Sequence, residues 1–65
     1  MSDTIAVTSD MRGLLDELLD CEDGLSGWEM DFLGSLDVQF DAHDQVSRKQ
    51  LDKLHEIARK MGLID

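Results

Sequence analysis

Four residues able to bind a cation or move a proton crowd one stretch of the chain: Asp37, Asp41, His43 and Asp44. The run Phe40 to Leu51, F-D-A-H-D-Q-V-S-R-K-Q-L, has the outline of a calcium loop entering its second helix. Such a loop requires glycine at its sixth position and a bidentate glutamate at its twelfth. Counted from Asp41, those positions hold Val46 and Asp52, so the run reads as a polar connection without a metal. Zinc is no better served, because Cys21, His43 and His55 lack the paired spacing of a four-ligand site. A nucleophilic serine or Cys21 would need a histidine beside it in a pocket that 65 residues enclose with difficulty. Carboxylates are so abundant that their proximity says nothing about acid-base work, and no glycine-rich phosphate loop is present. The chain is therefore read as non-enzymatic, with no catalytic residue, no cofactor and no metal.

The charge is uneven. Fifteen acidic and six basic residues give a formal net charge of -9; residues 1 to 44 carry -11 with Arg12 as their one basic side chain, and residues 45 to 65 carry +2. An acidic surface repels phosphate backbones, which argues against direct nucleic-acid binding except through Arg48, Lys49, Lys53, Arg59 and Lys60. A lone cysteine, the lack of a basic start followed by an apolar run, and the lack of an apolar stretch near 20 residues point to a cytoplasmic chain with no membrane segment.

The elements that would position these groups are helical. Ser26 and Glu29 form a capping box, with Leu25 and Met30 placed as a hydrophobic staple across it. Val46, Ser47, Gln50 and Leu51 repeat the layout. Met11, Leu14, Leu15, Leu18 and Leu19 follow helical spacing behind a cap at Thr8, Ser9 or Asp10, and Gly13 among them suggests close approach of another helix. Gly24 and Gly62, each followed by leucine, are expected to end helices in the left-handed conformation. The expected fold is all-α, a small three-helix domain over residues 10–65 with helices at about 10–21, 27–36 and 48–61, preceded by a flexible tail at 1–9. Thr4 to Thr8 could form a strand, but no second strand-like run stands out to pair with it. Val38 and Phe40 alternate with Asp37, Gln39 and Asp41, so 37–46 is expected to run extended across the domain and tuck Phe40 into the core. The expected core is Leu14, Leu18, Trp28, Phe32, Leu33, Leu36, Leu51, Leu54, Ile57 and Met61, with Glu56 and Lys60 paired on the outer face.

The stretch L-S-G-W-E-M-D-F-L-G-S-L followed by V-S-R-K-Q-L-D-K-L-H-E-I resembles a signature, W-E-x-x-F-L then S-x-K-Q-x-x-x-L-x-x-I, of small helical proteins of bacteriophages and bacterial mobile elements. Trp28, Glu29, Phe32, Leu33, Ser47, Lys49, Gln50, Leu54 and Ile57 occupy its positions. The resemblance implies a shared helical fold and a phage or prophage accessory setting; it transfers no catalytic role.

Three partner readings follow. Asp16, Glu17, Asp20, Glu22, Asp23, Asp37, Asp41 and Asp44 could dock on the basic surface of a nucleic-acid enzyme, as an inhibitor or DNA mimic. Alternatively, apolar surface left over on Met11, Leu15, Leu19 or Met30 could join two copies into a homo-oligomer or take a partner helix, and a third reading lets the last helix read DNA.

Overall fold

A computed structural model describes residues 3–21 and 23–64. The chain runs β1 (Thr4–Ala6), α1 (Ser9–Asp20), α2 (Gly27–His43), β2 (Gln45–Ser47) and α3 (Arg48–Lys60). The three helices match the expected number, but all-α is only approximate, because β1 and β2 form a two-stranded antiparallel sheet. Ile5 faces Val46 in its register, and backbone bonds from the Val7 amide to the Asp44 carbonyl and from the Arg48 amide to the Asp3 carbonyl extend the pairing at both ends. Part of the expected tail is thus an element of the fold, with Ile5 and Val7 packed against the core. The strand partner was hidden because Q-V-S is only three residues long and also serves as the approach to a helix cap.

Each helix starts at a hydroxyl cap. Thr8, Ser26 and Ser47 accept from the amides of Met11, Glu29 and Gln50 at 3.2, 3.2 and 3.1 Å. At the last two, the Glu29 and Gln50 side chains accept the serine amides at 2.9 Å, which closes both expected capping boxes. The helix α3 ends in a Schellman turn: Gly62 at φ 81° lets its own amide reach the Arg59 carbonyl and the Leu63 amide reach that of Ala58. Gly24 also has positive φ, at 96°, but it lies in the turn beyond Cys21, the actual cap of α1. There the Met61 methyl stands 3.3 Å from where a Cβ would be, so this turn and the end of α3 share one tight contact.

The main departure is the length of α2, which continues through Asp37 to His43 rather than stopping at 36. Leu33, Leu36 and Phe40 recur at i, i+3 and i+7 and are all buried, whereas Val38 is 67% exposed. Phe40 does turn inward, on a helix rather than an extended strand. Asp44, in the left-handed conformation at φ 53°, stops the helix.

The core is Met11, Leu15 and Leu18 from α1, Leu33, Leu36 and Phe40 from α2, Val46 from β2, and Leu54, Ile57 and Ala58 from α3. Of the expected members, Leu14, Phe32, Leu51 and Met61 are partly buried around it. Trp28 is not a core residue, being 58% exposed. Steps of four along a helix of 3.6 residues per turn drift sideways by about 40° each, so a stripe drawn through Trp28, Phe32 and Leu36 cannot face inward at both ends. The α2 residue that takes the inward position one turn before Leu33 is Glu29.

Candidate functional site

The eight carboxylates assigned to partner binding divide into groups with different surroundings. Asp37 and Asp41, one turn apart on α2, both face Arg12 of α1, whose guanidinium lies 4.0 Å from Asp37 and 2.6 Å from Asp41. This clamp across the α1–α2 seam uses the one basic residue of the acidic half. Asp44 caps α2 through its backbone. By contrast, Asp16, Glu17, Asp20 and Asp23 are exposed, and among the described residues they make no ion pair; Glu22 lies outside those residues. Helical spacing puts Asp16 and Asp20 one and two turns beyond Arg12, while Glu17 points to the α3 side.

Beside Glu17 is a shallow groove of 430 Å³ along the α1–α3 seam, lined by Asp10, Met11, Leu14 and Glu17 with His55 and Ile64 across from them. Nothing lies within 4 Å of a Cβ built on Gly13, which rules out the expected close helix approach there and leaves that end of the groove open.

The opposite flank of α2 carries the indole. Trp28 and Phe32 stack with ring centroids 5.5 Å apart and planes 7° from parallel, and Lys53 of α3 holds its ammonium 5.0 Å from the Trp28 ring centre. Next to this stack, Lys60 binds both carboxylate oxygens of buried Glu29 at 2.7 and 2.8 Å. The expected Glu56–Lys60 pair is therefore replaced by Glu29–Lys60, and Glu56 instead meets Lys53 at 3.4 Å. The Lys60 ammonium, then the Ser26 amide, hold the Glu29 carboxyl below its ordinary value of 4.5. Further along the seam, the amides of Gln39 and Gln50 bond each other reciprocally at 3.0 and 2.8 Å, and Gln39 also donates to the Gln45 carbonyl. Only knowledge of the α2 length could have paired Gln39 with Gln50.

The apolar surface expected to remain on α1 is largely covered, since Met11 and Leu15 are buried and Leu19 partly so; Met30 is exposed, as are Trp28 and Val38. The residues read against a calcium loop lie on a helix and its cap, and among the described residues no three His, Cys, Asp or Glu side chains gather as a metal site. No described helix is long and apolar enough to cross a membrane. The chain matches no known protein-family model, no curated protein and no solved structure.

Proposed function

We propose that this chain is a non-enzymatic interaction module that docks through the carboxylates of α1 and the following turn onto a basic surface, that of a nucleic-acid-processing protein. The supporting observation is the division of its acidic residues: Arg12 engages Asp37 and Asp41, while Asp16, Glu17, Asp20 and Asp23 stand exposed along one helix and its exit. Carboxylates spaced along a helix present a row of negative charge to a groove shaped for phosphates, and such contacts steer association and weaken with salt. The phage-accessory setting suggested by the W-E-x-x-F-L signature is consistent with an inhibitor or DNA mimic.

The test compares the natural chain with a variant carrying Asp16→Asn, Glu17→Gln, Asp20→Asn and Asp23→Asn, each used to capture proteins from a bacterial lysate. A basic nucleic-acid enzyme should be retained at low salt, released by about 0.5 M salt, and lost by the variant. Capture that ignores both salt and the four substitutions would refute the reading.

A further inference from the structure

The acidic face does not use Trp28, which stays 58% exposed although it stacks on Phe32 and lies under the Lys53 ammonium. A tryptophan stacked on phenylalanine and open to water is the residue type most enriched at the energetic centres of protein interfaces. Its surroundings narrow the occupant. Lys53 of α3 lies over the Trp28 ring and pairs with Glu56, and Lys60 pairs with Glu29 next to the stack, so the charges placed at this face cancel and the net charge of -9 resides on the rest of the chain. A polyanion gains little from a neutral face and is repelled by the rest of the molecule. A basic partner has better places to bind on α1. A second copy of the chain is repelled wherever acidic surface meets acidic surface, and least across the α2–α3 seam. Under a twofold axis, moreover, a rim containing both lysines and carboxylates is complementary to itself.

We propose that the Trp28–Phe32 face on the α2–α3 seam is where two copies of this chain associate about a twofold axis, with the ring stacks at the centre and Lys53 and Glu56 of each copy exchanging partners at the rim. A contact centred on two ring pairs should give a weak, reversible dimer beside one that buries the roughly 800 Å² per partner of a standard interface. It uses none of the α1 carboxylates, so it stands or falls separately from acidic docking.

Sedimentation velocity of the full chain from about 5 μM to about 1 mM, a range suited to weak association, tests the pairing. The natural chain should shift from monomer to dimer with concentration, and over the same range Trp28 emission should move to shorter wavelength and resist acrylamide quenching. Raising salt should strengthen dimerisation by screening the charge of the two bodies, opposite to the weakening expected for a bound polyanion. The Trp28→Ala variant should remain monomeric throughout with an unchanged circular dichroism spectrum, and Phe32→Leu should weaken pairing without abolishing it. The proposal is overturned by a natural chain that stays monomeric at every concentration and salt, by a Trp28→Ala variant that dimerises equally well, or by saturable binding of oligothymidylate at this face in place of a dimer.

Discussion

Glu29 on α2 receives the Lys60 ammonium of α3 on both carboxylate oxygens, and its Oε1 also accepts the Ser26 amide at 2.9 Å. One buried side chain thereby closes the helix start and fastens it to the end of another helix, which makes its protonation a stability variable. The carboxyl is held below its ordinary 4.5, so the folded state favours the ionised form. Its contribution is complete above the unfolded value and is lost as pH falls through the folded one. The melting temperatures of the natural chain and Glu29→Gln should therefore differ most near neutral pH and converge below pH 4.5, as followed by circular dichroism. A gap that stays constant across this range would show that the ion pair adds nothing.

The positions of Trp28 and Phe40, two of the three aromatic side chains of α2, make opposite predictions. Phe40 is 1% exposed, and Phe40→Ala should cost about 3–5 kcal/mol, enough to unfold much of so small a domain. Trp28→Ala should cost under about 1 kcal/mol in dilute solution, because it removes mainly solvent-facing contacts. Urea titration monitored at 222 nm compares them without relying on the indole.

At the start of α3, Ser47 closes one capping box and places Gln50 for its exchange with Gln39. Ser47→Ala should lower stability by about 1 kcal/mol, and Ser47→Asp should recover most of that loss as an alternative cap. Thermal denaturation of the three chains decides this; equal stability of Ala and Ser at 47 would leave the cap without an energetic role.

Asp44 occupies the left-handed conformation at φ 53° and places a carboxylate at the negative end of α2. Asp44→Gly removes both penalties while making the unfolded chain somewhat freer, for a net gain of up to about 1 kcal/mol. Urea unfolding of Asp44→Gly should show a higher midpoint with unchanged slope. The Gly24→Ala substitution should do the reverse, since a methyl there meets Met61 at 3.3 Å on a backbone unsuited to alanine.

Local chemistry was the legible part of this sequence. The two capping boxes, the left-handed glycines and the helical repeats of Leu33, Leu54 and Ile57 depend on neighbours within about one turn or two, and their geometry follows from residue type and spacing. What failed involved distant partners. Val38 and Phe40 alternate like a strand, but Leu33, Leu36 and Phe40 share a helix face that finds α1 and α3 to cover it. Trp28 looked like a core anchor by size alone, yet Glu29 took the inward position because Lys60, 31 residues away, supplied the counter-charge. Within the candidate acidic surface, residue type identified the carboxylates, but only the packing of α1 on α2 showed that Arg12 engages two of them.

The short ribbon joining Thr4–Ala6 to Gln45–Ser47 gives the two ends of the assembly process different timing. The helices can collapse on one another through loops of a few residues, whereas the ribbon must close a circuit of about 40 residues for only a few backbone bonds. It should zip up after the rate-limiting barrier. Stopped-flow kinetics of Ile5→Ala would then show faster unfolding with a nearly unchanged refolding limb, and the amides of Thr4 to Ala6 would exchange with deuterium well ahead of those around Leu33.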